Sequence, residues 1–333
     1  MSYSKHIFYL YLLAAVMAFG VIVLGAYTRL SDAGLGCPDW PGCYGKLFVP
    51  VESTQVAAAN EAFPERPLEA SKAWIEMIHR YAAAGLGLII LALTTLSWAS
   101  RAKGIPSPIV ASSTLLLLVV FQGALGMWTV TLLLKPVIVT AHLLGGMAIL
   151  ALLFWLMLNT FRSTAGLKAN GLTLWAIIGT IVLFCQIALG GWTSANYSAL
   201  ICTDFPTCQN QWWPQMNFKE GFTLWRELGV DYEGGILDAP ARTAVHVSHR
   251  IGALFTFIVL GVLALKSISA KRKNLQGIGT LVLLALFLQV SLGIANVLLA
   301  LPLGIAVAHN GVAALLLLSL VSLIYFSYSK DEQ

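Results

Sequence analysis

Residues 25–43, GAYTRLSDAGLGCPDWPGC, align without a gap on residues 190–208, GGWTSANYSALICTDFPTC. Tyr27 falls on Trp192, Thr28 on Thr193, Cys37 on Cys202 and Cys43 on Cys208, all at an offset of 165. The chain therefore reads as one unit written twice. In each copy an apolar run ends, and a loop carrying Cys-x5-Cys begins.

The runs on either side of these segments set the solvent. Hydrophobic residues make up 58% of the chain and charged residues 11%, the composition of a polytopic membrane protein. Stretches long enough to cross a hydrocarbon core of about 30 Å lie near residues 7–29, 75–99, 108–131, 137–160, 172–195, 243–266, 276–300 and 304–328. The first follows Lys5 and His6 as a signal peptide would, but it is too long and lacks a small-residue cleavage site, so it is expected to stay as a helix. The expectation is an all-α integral membrane protein. Eight helices form two pseudo-symmetric four-helix bundles, residues 1–165 and 166–333. With four crossings per copy both units run the same way, a parallel duplication about an axis along the membrane normal, unlike an inverted transporter repeat.

Short connections carry the cations: Arg101 and Lys103, Arg162 and Lys168, then Lys271, Arg272 and Lys273. That side is expected to be cytoplasmic, with both termini, in a bacterial inner membrane. The long loops, about 31–74 and 196–242, then lie outside and hold most of the acids, including Asp39, Glu61, Asp204 and Asp231. The net charge of +5 is accordingly read as facing anionic headgroups, and a nucleic-acid surface is excluded. An oxidising outer compartment would let Cys37 pair with Cys43 and Cys202 with Cys208. Each pair is either a loop staple or an exposed dithiol that exchanges electrons. Cys185, alone in the fifth run, is expected to be a small buried apolar residue.

Four histidines carry the chemistry. His79 and His249 stand 170 positions apart, each followed by arginine (Arg80, Arg250); His142 in VTAHLLGG and His309 in AVAHNGVA are 167 apart. On the expected topology all four fall within about the first two turns of the second, fourth, sixth and eighth helices, at one level near the outer face. Imidazole in hydrocarbon is costly unless paired or ligated. A single such residue would pass as a hydrogen-bonded packing residue or a member of a proton relay. Four at a repeated depth fit two haem irons, each taking an imidazole from either side, better than zinc or copper, which recruit carboxylate or thiolate partners that are missing here. Helix pairs of a four-helix bundle leave room for a porphyrin.

Glu76, one turn before His79, occupies the repeat position that His246 holds before His249. Its carboxylate either reaches the edge of a macrocycle held by His79 or simply favours a helix N-terminus. His246 shares the face of His249 and is read as a hydrogen-bond donor behind that ligand or as an interfacial residue. Arg29, Arg80 and Arg250 are candidates to reach haem propionates or lipid phosphates. A fainter echo recurs as Gln122-x-x-Leu125-Gly126, Gln186-x-x-Leu189-Gly190 and Gln289-x-x-Leu292-Gly293, with Leu24-Gly25 in the first helix. Its small residues let helices approach closely or make room for a flat ligand.

Through residues 25–43, Glu76-x-x-His79-Arg80, the His142 segment, the second cysteine loop, His249-Arg250 and His309, the chain resembles the haem A synthase family over nearly its whole length. The resemblance implies oxidation of the C8 methyl of haem O to a formyl group, giving haem A for terminal oxidases. It also implies that His79 and His142 bracket the substrate haem O, that His249 and His309 ligate a haem b cofactor, and that Glu76 is the catalytic carboxylate. Partners would be haem O, the lipid bilayer, a haem O synthase, electron acceptors and further copies of the chain. Simpler members have one cysteine pair, so a redox duty for Cys37 and Cys43 does not extend to Cys202 and Cys208. A non-catalytic bis-histidine haem b conduit is the alternative, favoured by equal ligand sets in both halves. A haem transporter would need histidines accessible from both leaflets.

Overall fold

The computed structural model describes residues 2–161, 169 and 171–328, with side chains from Lys5 onward. Arg162, Lys168 and Lys330, which mark one side of the membrane in the sequence, lie outside them. The elements are α1 (Ser2–Leu30), the short α2 (Ser53–Ala62), α3 (Ala70–Ala102), α4 (Ile109–Thr131), α5 (Pro136–Asn159), α6 (Gly171–Ala195), the one-turn α7 (Phe218–Gly221), α8 (Ala239–Ile268), α9 (Lys273–Leu298) and α10 (Leu303–Ser327). Eight of these helices are long and apolar enough to span a bilayer. The chain is an all-helical, multi-pass membrane protein. No strand forms among the described residues, only isolated bridges at Cys43–Lys46 and Cys208–Gln211.

The apolar runs become helices because every backbone polar group must be satisfied within its own segment in lipid. Chain chemistry sets the ends. Pro136 opens α5, while Asp238 caps α8 by accepting from Ala241 N at 2.9 Å, with Pro240 in the first turn. α3 and α8 start several residues before their apolar stretches. With 33 and 30 residues they reach about 50 and 45 Å, well beyond a hydrocarbon core of about 30 Å, so their first turns stand among the long loops. His79 and His249 consequently lie nearly three turns from their helix starts rather than within two, whereas His142 and His309 keep the expected depth.

Packing pairs α1 with α3 and α5, and α4 with α3 and α5; in the second half α6 meets α8 and α10, and α9 meets α8 and α10. The halves join through α5 on α6, α1 on α10 and α5 on α10. Their common core is leucine-rich, centred on Leu150 and Leu153 of α5, Leu260 and Leu263 of α8, and Leu317 and Leu320 of α10. α10 is the most enclosed span, with half of its apolar window buried, against 11% for α9. Cys185 is exposed on α6, contrary to the buried position expected. The outward face of a spanning helix meets lipid, which welcomes a small apolar side chain as readily as a protein core does.

The long loops repeat a local construction. Cys37 is bonded to Cys43 and Cys202 to Cys208. Inside the first ring Asp39 accepts from Tyr44 N (2.6 Å) and Gly45 N (2.7 Å); inside the second Asp204 accepts from Gln209 N (2.7 Å), Asn210 N (3.0 Å) and the Thr207 hydroxyl (2.5 Å). Tyr44, Gly45, Gln209 and Asn210 all have positive φ, so their N–H groups turn inward onto the carboxylate. Arg66 ties one loop to the other through Asp231 (2.6 Å) and Glu233 (2.9 Å).

Candidate functional site

At the loop end of the helices a cavity of about 1910 Å³ opens between the halves, lined by His79, His142, His246, His249 and His309 together. Small-molecule pockets usually measure about 300–1,000 Å³, so this one has room for more than one large ligand. The His79 and His142 rings face each other from α3 and α5, centroids 6.4 Å apart and planes 76° apart. A metal between two imidazoles, at about 2.0–2.1 Å from each nitrogen, puts the ring centres roughly 6 Å apart once the radii of the rings are added.

Each histidine is seated against a glycine of a neighbouring helix. A Cβ on Gly25, Gly126, Gly190 or Gly293 would stand 2.9, 3.3, 3.2 or 3.1 Å from the Cε1 of His79, His142, His249 or His309 respectively. The recurring Leu-Gly of the sequence is therefore the place where a histidine ring of the neighbouring helix is admitted. The sequence pattern alone assigned no task to the glutamine four residues earlier. Gln186 Nε2 lies 3.0 Å from both His249 Nδ1 and His249 O; Gln289 Nε2 is 3.3 Å from His309 Nε2, while the Gln289 carbonyl is 3.2 Å from His309 Nδ1. Gln122 Nε2 donates to His142 O. Val21 holds the corresponding place before Gly25. His79 and His142 have no side-chain hydrogen-bond partner on the ring, only the backbone of Val21 and of Gln122 beside them, whereas Gln186 and Gln289 bring a side-chain amide to His249 and His309; the two pairs differ in that respect.

Glu76 is buried in the second turn of α3 on the cavity wall. Its Oε2 accepts from Cys37 N at 2.8 Å and its Oε1 from Arg80 Nη2 at 2.5 Å. A helix-dipole role weakens beyond the first turn, and two convergent donors describe this carboxylate better. Arg80 also donates from Nη1 to Asp39 O (3.0 Å) and Gly42 O (2.5 Å), inside the first disulfide ring. Arg250 does the same in the second, reaching Thr207 O (2.7 Å), Asp204 O (2.9 Å) and Cys202 O (3.3 Å). Both arginines thus clamp loops while lining the cavity. His246 is buried with Nδ1 2.9 Å from Ser198 O. The repeat position therefore accepts from the loop in one half and meets a loop carbonyl in the other. Arg29 donates to Ser194 O at 2.7 Å, the residue at its own repeat position.

Among the described residues no group of three or more His, Cys, Asp and Glu converges as a metal site. Donors come instead as opposed imidazoles beside an apolar-walled cavity, a set that suits a metal arriving with its own planar nitrogen ligands. The observed rings and space fit haem. A helical membrane protein whose loop-end cavity joins two pairs of histidines is the class that fold and site define.

Residues 8–321 match the COX15-CtaA family of cytochrome oxidase assembly proteins. The chain is 46% identical over 315 residues to the Heme A synthase of Shewanella oneidensis, covering 94% of each chain. It is 28% identical over 334 residues to that of Paracoccus denitrificans (92% of this chain, 83% of that one) and 27% over 333 residues to that of Caulobacter vibrioides (92% and 91%). The chain belongs to the COX15-CtaA family.

Proposed function

We propose that this protein is a haem A synthase that converts the C8 methyl of haem O to a formyl group. In this reading residues 1–165 bind the substrate between His79 and His142, and residues 166–333 hold haem b between His249 and His309. The packing pairs are unchanged when α1, α3, α4 and α5 are exchanged with α6, α8, α9 and α10, which supports a parallel duplication. The long loops would face outward from a bacterial inner membrane, with both termini cytoplasmic. A haem O synthase and electron acceptors would be its partners, and the chain would form homo-oligomers.

The observation that carries the reading is the inequality of the halves. Ligating histidines ordinarily have a polar partner behind the ring, and losing it costs about 10–100-fold in affinity. Gln186 and Gln289 bring a side-chain amide to the second pair, as a resident group requires, while His79 and His142 have only the backbone of Val21 and Gln122 beside their rings, which suits a ligand that must leave. A carboxylate, Glu76, lies beside the first pair only.

Each oxidation breaks one C–H bond of the methyl carbon, removes two electrons and adds oxygen, through an alcohol and then a hydrated aldehyde that loses water. Haem b, when bound, supplies electron transfer. Glu76 is the acceptor placed to take up methyl or water protons, and Arg80 and Cys37 N–H hold it in place. His79 and His142 orient the substrate ring. The apolar wall, including Leu88, Leu91 and Val120, limits water around it. The Cys37–Cys43 disulfide, joined to Glu76 through the Cys37 amide, would be the nearest protein group able to accept two of these electrons, becoming a dithiol.

Expression of Glu76→Gln with a supply of haem O tests this. Haem b content and haem O binding are expected to be normal, and formyl product to fall by about 10²–10⁴-fold, the usual worth of a proton-transfer group. Extracted pigments locate the block: haem O accumulates if Glu76 serves the first oxidation, the alcohol if it serves the second. Haem A at the unmodified level would remove Glu76 from the reaction. Haem b alone in both halves of the unmodified protein would favour an electron conduit.

A further inference from the structure

Where the halves meet at the loop end, three buried donors lack partners: Nε of Arg29, Nε of Arg242 and the hydroxyl of Tyr197. They belong to one cluster. The Arg29 guanidinium lies 4.2 Å from the centroid of the Tyr197 ring, and Arg242 Nη2 donates to the Tyr197 carbonyl. Arg29 comes from the end of α1, Arg242 from the first turn of α8, and Tyr197, at φ 51°, from the turn that follows α6. All three line the cavity that holds the histidines. The acid beside them, Asp32, is 3.7 Å from Arg29 Nη1 and largely exposed. Arg250 Nε is likewise without a partner, but Arg80 and Arg250 place their terminal nitrogens on the two disulfide rings, whereas Arg29 and Arg242 lie where the halves meet.

Two guanidinium groups facing a cavity with unpaired N–H donors are costly unless an acceptor arrives. Planar donor forks match a carboxylate, and the phenol adds an O–H donor at the rim. We propose that Arg29, Arg242 and Tyr197 form a carboxylate clamp for the propionate side chain of a bound porphyrin. Because the clamp draws on both halves, it fixes how the macrocycle is turned about the axis between its histidines. This rests on the haem reading given above and adds to it a site contributed by α1, α8 and the turn after α6.

The test uses full-length protein made in haem-starved cells, held in nanodiscs and titrated with ferric protoporphyrin IX or its dimethyl ester, followed by the Soret band. The ester keeps ring and iron but removes the charge. Unmodified protein should prefer the free acid. Arg29→Ala and Arg242→Ala should each reduce that preference by about tenfold, by weakening the acid while leaving the ester unchanged. Arg242→Lys should restore part of it, and Tyr197→Phe should lower it less. Equal weakening of acid and ester would overturn the clamp, since the arginines would then serve packing alone. An unchanged preference in both alanine variants would overturn it as well. Unmodified protein that bound neither form would instead overturn the haem reading, and the clamp with it.

Discussion

Gln186 shows how one side chain can hold an imidazole in place. Its amide meets both the ring and the backbone of His249, and its Oε1 sits in a notch where a Cβ on Gly252 would come within 2.4 Å. Gln186→Leu keeps the volume and removes both hydrogen bonds. Haem b retention after detergent washing should drop by about 10–100-fold, while haem O bound by the other half should be unaffected. Retention equal to that of the unmodified protein would show that the ring needs no such support. The histidines were legible in the sequence because imidazole stands out in an apolar run. The glutamines were visible as a repeat yet mute, because the partner of Gln186 lies 63 residues away on α8 and only packing brings it there. Arg242 and Tyr197 left no sequence signal, since their meeting depends on how the halves join.

At the level of elements, the helices were readable from apolar length, and their ends were less so because α3 and α8 continue into polar sequence outside the bilayer. What length could not convey is the spacing between helices. α6 approaches α8 closely enough that Gly190 abuts His249, whereas Gly123 on α4 has nothing within 4 Å of an added Cβ. Gly190→Ala should push the His249 ring from its seat and broaden or shift the haem b Soret band. Gly123→Ala should leave the spectrum unchanged and raise thermal stability slightly, by up to about 1 kcal/mol of helix propensity. Equal spectra for the two variants would refute the seating argument. The second disulfide loop has its own pH dependence. The Thr207 hydroxyl, joined by the N–H groups of Gln209 and Asn210, holds Asp204 below the ordinary aspartate value of 3.8. A depressed carboxyl pKa stabilises the fold above the unfolded value and loses that contribution as pH falls through the folded one. Amide exchange at Gln209 and Asn210 should therefore gain excess opening only below about pH 3.8, and Asp204→Asn should remove that acid step.

Across the whole molecule, the proposed duplication would give two similar bundles around the shared cavity, and small departures from the repeat would assign them different work. Glu76 against His246, Val21 against Gln186, and Arg29 against Ser194 are all unequal positions on matched helices. Each bundle has its own ring of helix contacts, so damage to one ligand pair should leave the other standing. His249→Ala and His309→Ala should lose tightly bound haem b while the protein still inserts, because lipid-facing and leucine-core contacts are untouched. His79→Ala and His142→Ala should retain haem b at the level of the unmodified protein and yet form no haem A. Pigment extraction and reduced-minus-oxidised spectra on the four variants decide the matter. If His79→Ala lost haem b as fully as His249→Ala, the assignment of resident group and substrate to separate halves would fail. If all four variants kept part of each haem, the single cavity would be acting as one mixed site, and the inequalities between the repeats would need another cause.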